Sequence, residues 1–300
     1  MKTLSTLICL IPLSASPAFA SHNVLAQEKA PATVAEELPA ARTILDRHIE
    51  LTKAAKAAKE HKTMKVEGTF EMAGMGLEGD VLIITSAANE VVVSIGLGPM
   101  GTMRSGFGQG VGWMAHPMGG TYLMKGSELQ QMKDQASWTS ILKEAERFES
   151  LRTVARTTFE GQDCWEIELV KKPAEGMDPA KTKKVRTSTE YYNIESGFQV
   201  GTVVMAASPV GEVKQTTVMS DYKDFGGVLF STKSTVRGPG GEFVITINTV
   251  TFDKLEAAAF ALPPAIAKLK EAAAKKAEAA EKAEKAEKAK QEKPAEGAGV

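Results

Sequence analysis

Between residues 42 and 61 the apolar positions recur at helical spacing. Ile44, Leu45, His48, Ile49 and Thr52 fall on one face, and Asp46, Arg47, Glu50 and Lys53 on the other. This predicts an amphipathic helix with His48 packed on or beside its apolar side. The period then drops from 3.6 to 2. Met64, Val66, Phe70 and Met72 alternate with Lys65, Glu67, Thr69 and Glu71, with Gly68 on the apolar side. That is the pattern of a half-buried antiparallel strand. Similar runs follow near 76–86, 89–97, 101–107, 110–116 and 121–124, then near 148–159, 163–171, 184–193, 198–207, 211–222, 227–237 and 242–252. Turn residues separate them, among them Ala88-Asn89, Met118-Gly119-Gly120, Ser196-Gly197, Gly226-Gly227 and Pro239-Gly240-Gly241. The pattern predicts a mainly β (α+β) domain built on a large, curved antiparallel sheet of about eleven strands.

Two segments break the alternation. Residues 126–146 carry Leu129, Met132, Trp138, Ile141 and Leu142 at helical spacing, and Ser127 opens an S-x-x-Q capping box with Gln130. A helical insert there has room to cover the concave face of the sheet or to pack outside it. From Pro263-Pro264 the composition changes again. Residues 265–269 close the folded part, and the rest is nearly all Ala, Lys and Glu, with Glu278–Lys282, Glu281–Lys285 and Glu284–Lys288 spaced i,i+4. Such a helix has no apolar face beyond alanine, so a solvated, partly helical spacer is expected.

The start of the chain reads as an export signal. Lys2 precedes a short apolar run through Leu13, and Ala18-Phe19-Ala20 fits an A-x-A cleavage site. The expected organisation is a signal at 1–20, a flexible leader at 21–39, a folded domain at 40–268 and a charged tail at 269–300. Past the signal only Cys164 remains, so an intramolecular disulfide is excluded, and this thiol reads as a small buried hydrophobe. Net charge is −1, of which Lys2 supplies +1 and the segment from Ala265 onward, with nine Lys and seven Glu, +2. The body is therefore mildly acidic, at −4, which argues against a nucleic-acid partner.

Catalytic signatures are missing: the chain holds no G-x-S-x-G, H-E-x-x-H or C-x-x-C. Neither an enzyme nor a cofactor is expected. Gly96-Leu97-Gly98-Pro99-Met100-Gly101 matches G-x-G-x-x-G, but Gly106, Gly108, Gly110 and Gly112 follow where a dinucleotide fold needs a helix. These glycines instead relieve crowding in a bent strand or leave room for a close neighbour. Methionine carries more information. Eight of thirteen lie between residues 72 and 132, and flexible thioethers suit apolar ligands of variable shape. The expected cavity residues are Met72, Met75, Leu97, Met100, Met103, Phe107, Trp113, Met114, Met132 and Trp138. Met114, His116 and Met118 also alternate as a Cu(I) trio would, but Pro117 interrupts the strand, and no metal is assigned.

Three segments carry a resemblance. They are Tyr191-Tyr192-Asn193-Ile194-Glu195-Ser196-Gly197, then Asp221-Tyr222-Lys223-Asp224-Phe225-Gly226-Gly227-Val228-Leu229-Phe230-Ser231, then Phe260-Ala261-Leu262-Pro263-Pro264. With Gly112-Trp113 and Pro117, their succession resembles the LolA-like outer-membrane lipoprotein-sorting proteins (the LolA/LolB/LppX-type carrier fold) over residues 40–268. Ser231 replaces the proline of an F-P-T motif. Arg104 is a candidate, by location, for the arginine that such carriers use to hold an internal plug. The resemblance implies a curved antiparallel half-barrel around an apolar cavity, with helices as a lid. It implies a monomeric periplasmic carrier whose partner is a lipid or lipid-modified protein. The alternative is a non-enzymatic envelope scaffold or sensor that binds a protein partner; a concave face filled by its own side chains would favour it.

Overall fold

The computed structural model describes residues 37–136, 147–173, 178–208 and 211–291. The expected signal and most of the leader, Trp138, and the end of the tail lie outside them.

Every alternating segment becomes a strand, so the sheet has 13 strands rather than about eleven. From β1 (Thr63–Met72) the chain meanders outward through β2 (Leu77–Ser86), β3 (Glu90–Gly96), β4 (Thr102–Gly108), β5 (Val111–His116) and β6 (Gly120–Leu123) to one edge. It restarts at the other edge with β7 (Phe148–Phe159). From there it meanders inward through β8 (Gln162–Lys171), β9 (Thr187–Asn193), β10 (Gln199–Ser208), β11 (Gly211–Phe225) and β12 (Val228–Gly238) to β13 (Gly241–Phe252). The pairing of β1 with β13 joins the two halves, and β6 and β7 remain as edges, so the sheet is open. All the pairs are antiparallel, as hairpin connections require.

The helices show how far the sheet curls. Helix α3 (Gly126–Ala136) touches β3, β4 and β5, and also β10. β10 lies six positions from β3 in the sheet order, roughly 29 Å away if the sheet were flat. A helix about 10–12 Å across reaches both only inside a deep concavity. Helix α1 (Ala41–Thr52) spans β7 and β12 in the same way. The predicted single N-terminal helix is two: Lys53 adopts φ +54° and separates α1 from α2 (Ala54–Glu60). The turn lets α2 leave the line of α1, and Ala57 and Ala58 bury against the sheet.

Two further corrections concern starts of elements. The strand expected from 184 begins at Thr187, because Pro179–Arg186 is a helix, α4. Asp178 caps it, accepting from the Ala180 amide at 3.0 Å, and Pro179 supplies a φ already set for a first turn. Gln130, expected to reach back toward Ser127, instead donates forward to Asp134 at 2.9 Å.

The convex side of β2–β6 is covered too. Residues 255–262 and the first turn of α5 (Pro264–Gln291) lay Phe260 and Ile266 on Ile84, Val92 and Trp113. β2 and β3 are therefore buried on both faces, and their sequences run apolar without strict alternation. Past Glu271 the side chains of α5 are solvent-exposed wherever described.

Candidate functional site

The concavity has two unlike walls. Over β1–β5 it is apolar. Met72, Leu97, Met103, Met114 and Met132 are buried in one cluster, with Met100 and Phe107 packed against it. These seven of the ten expected residues are brought together. Met75 is 50 % exposed in the turn after β1, outside the cluster. Trp113 packs on the opposite face, against Phe260 and Ile266. Trp113 and Met114 are strand neighbours, and strand neighbours point to opposite faces, so they do not share a cavity. Trp138 lies outside the described residues. Arg104 stacks over the Trp113 ring at 5.9 Å, on the convex side and away from α3. Met114, His116 and Met118 do not converge either. Met118 is 72 % exposed, and His116 Nδ1 accepts the Met118 and Gly119 amides at 3.1 and 3.0 Å. Among the described residues no group of three His, Cys, Asp or Glu side chains is placed to hold a metal.

This apolar wall is filled by the protein itself. Leu129 and Met132 of α3 sit in it beside Met124 and Met114. Gly112 provides the seat: a Cβ there would lie 2.7 Å from Leu129 Cδ1.

The facing wall, over β9–β12, carries buried polar side chains among its apolar ones. Ser188, Glu190, Thr202, Thr217 and Ser234 lie on it with little or no exposure. Tyr192 donates its hydroxyl to Glu190 Oε2 at 2.5 Å, and Gln199 Nε2 donates to Thr202 Oγ1 at 2.9 Å. Gln135 Nε2 of α3, Gln215 Oε1 and Ser234 Oγ are buried without a hydrogen-bond partner. Each such group costs about 1–3 kcal/mol. Alternation alone did not reveal this wall, since Thr and Ser also serve on exposed strand faces.

A pocket of about 250 Å³ opens where the walls meet, between α3, the start of β7, the ends of β8 and α4, and β10. Arg147, Lys171, Lys172 and Arg186 line it, with Asp134 as the only carboxylate among the described lining residues and Val185, Val204 and Met205 as apolar surface. Lys171 is ion-paired to Asp134, which ties α3 to β8. Arg186 is fixed from several sides: it donates to Glu149 at 2.8 Å, to the Pro179 carbonyl at 2.8 Å and to the Lys171 carbonyl. That fan of bonds clamps α4 to β7 and β8. The pocket is not legible in the sequence, because its cations come from three segments that only the fold assembles.

Helix α1 closes the other end of the concavity. Ile44 and Leu45 pack on Ile167, Leu169 and Tyr192, and Arg47 donates to the Ile194 and Glu195 carbonyls at 2.9 and 2.6 Å. His48 is fully buried, and its Nδ1 accepts the Gln199 amide at 3.2 Å. Burial pushes its pKa down to about 4, against a smaller upward effect of the Gly197 carbonyl. The imidazole is therefore neutral near pH 7. Cys164 is likewise buried, and desolvation raises its thiol above the usual range, so it is not an activated nucleophile.

These elements define a class: an open antiparallel half-barrel whose concave side is closed by helices. No known family matches the sequence, and no curated protein is detectably similar to it. Among solved structures it is similar to a DUF1329 family protein from Desulfovibrio piger, with TM-score 0.49 and 10 % identity over 74 % of this chain and 97 % of that one. It is also similar to a LolA superfamily protein from Nitrosomonas europaea, with TM-score 0.49 and 12 % identity over 75 % of this chain and 99 % of that one. No helix among the described residues is long and apolar enough to cross a membrane.

Proposed function

We propose that this chain is an exported, periplasmic carrier, a monomer without enzymatic activity, for a lipid or lipid-modified protein held beneath α3. The observation that supports this reading is the placement of α3. It lies across the concavity on a methionine-rich bed and is tied at its far side by the Lys171–Asp134 pair.

Magnitudes favour exchange of lid for ligand. Leu129 and Met132 together contribute about 5 kcal/mol of burial at 1.5–3 kcal/mol each. An acyl chain of about twelve methylenes, at about 0.8 kcal/mol each, offers about 10 kcal/mol. An acyl chain therefore displaces α3 from Met72, Leu97, Met103, Phe107 and Met114, and the thioethers repack around it. The signal-type start of the sequence supports export. Native mass spectrometry of the protein purified gently from the periplasm, with lipid extraction of the same sample, tests the proposal. A stoichiometric adduct that extracts as lipid is expected. An apo mass, unchanged by incubation with acylated peptide, contradicts it.

The filled apolar wall favours one second reading, an envelope scaffold or sensor whose sheet binds a protein partner. The same apo mass, together with a protein recovered in stoichiometric complex, would select that reading.

A further inference from the structure

We infer that the pocket between α3, β8 and β10 recognises an anionic headgroup, a phosphate or carboxylate, on the carried ligand, and that this headgroup releases the lid. The inference rests on the carrier reading and adds the class of ligand to it.

Charge distribution points there first. The body of the chain is net acidic, at −4 over residues 21–264, yet this cavity gathers Arg147, Lys171, Lys172 and Arg186, with Asp134 the one carboxylate among its described lining residues and Glu149 paired to Arg186 from outside that lining. A more open hollow shares Thr187, Val204 and Met205 with it and adds Lys183, Lys214 and Lys184, the last paired to Glu212. The four cations of the pocket outnumber the two carboxylates paired with them, Asp134 and Glu149, and an anion would compensate the excess of positive charge. Cations fixed in place beforehand bind anions with little loss of side-chain freedom. The bonds of Arg186 to carbonyls on two segments supply that fixing.

Size and polarity agree. At about 250 Å³ the pocket is below the usual range for a drug-sized ligand, so it suits a head and not a whole lipid. Ser127 and Ser188 line it, and hydroxyl groups donate to phosphate or carboxylate oxygens. Val204, on the same strand face as Thr202, gives the pocket apolar surface toward the concavity.

The ion pair supplies the coupling. Asp134 belongs to α3 and Lys171 to β8, and both side chains are mostly buried. An incoming anion takes the place of the Asp134 carboxylate on Lys171. That cuts the tie between lid and sheet as the chain of the ligand reaches the methionine bed. Head recognition and lid opening then become one event.

Three probes separate the possibilities by calorimetry at low salt: dodecyl phosphate, dodecyl maltoside and inorganic phosphate. The proposal expects dodecyl phosphate to bind at least about tenfold tighter than the maltoside, with an advantage that shrinks in high salt. Lys172→Glu, at the exposed rim, is expected to collapse that ratio, and Lys172→Arg to keep it. Equal affinity for the two amphiphiles leaves the carrier reading standing and overturns the anion site. Failure to bind either overturns both. Inorganic phosphate binding as tightly as dodecyl phosphate overturns the headgroup assignment in favour of a free anion.

Discussion

Gly106 and Gly112 sit six residues apart in a run of alternating glycines, yet they serve different neighbours. A Cβ on Gly106 would lie 2.4 Å from the Val91 carbonyl and 2.9 Å from the Trp113 ring. Neither yields easily, since one is backbone and the other a large buried ring. Gly106→Ala is therefore expected to cost about 3 kcal/mol, seen as a fall of about 10 °C in melting temperature. At Gly112 the contact is the tip of Leu129, which rotates away. Gly112→Ala is expected to cost about 1 kcal/mol and to loosen α3, not the sheet. Equal losses in thermal melts would show that both glycines serve strand geometry alone. The sequence made the glycines conspicuous and suggested a close neighbour. It did not show that the neighbours are Trp113 and Leu129, because that depends on pairing register and on where α3 lies.

At the scale of elements, α1 has a titratable anchor. His48 in the fold has a pKa near 4, against about 6.5 in an unfolded chain. The unfolded state thus binds the proton first as pH falls. The contribution to stability is complete above about pH 6.5, declines between 6.5 and 4, and is lost below that. From pH 7 to pH 5 the expected loss is about 2 kcal/mol. His48→Gln is expected to have a smaller pH dependence over that interval, whatever its stability at pH 7. A wild-type melting temperature flat from pH 7 to 5 would contradict this account.

Helix α5 makes a second prediction at the same scale. Ile266 is fully buried, and Lys270 donates to the Gln109 carbonyl at 2.8 Å, whereas the described residues beyond Glu271 are exposed. Deleting residues 272–300 is expected to shift the denaturation midpoint negligibly. Deleting 256–300 uncovers Trp113 and forfeits Phe260 and Ile266, about 5 kcal/mol. Similar midpoints for the two truncations would show that the convex cover is dispensable. Both the alanine-rich tail and its lack of an apolar face were visible in composition. The cover was not, since it rests on only a few residues between Leu255 and Ile266. The break at Lys53 and helix α4 were missed for a related reason. Both depend on a short local signal, a left-handed lysine and an Asp178-Pro179 start, that a periodicity reading averages away.

Across the whole molecule, the path of the chain follows the sequence closely. Each strand pairs with its neighbour in sequence, except at the β1–β13 seam and at the two edges. A succession of alternating runs and turns therefore carried most of the fold. What it did not carry is the inside of the curl. Alternation says that a strand has two faces, not which one is concave, and so Trp113 was assigned to the wrong side. The polar wall of Glu190, Thr202 and Thr217 and the cationic pocket arise from segments far apart in the chain, which meet only when the sheet bends around α3.

That bend makes α3 the part that must move if the concavity takes up an acyl chain. The most direct measurement is amide hydrogen exchange across α3 and β3–β5, with and without saturating dodecylated peptide. Amides of Gly126–Ala136 are expected to lose protection on binding while those of β3–β5 keep or gain it. Binding that leaves α3 as protected as before, or no binding at all, would contradict that expectation.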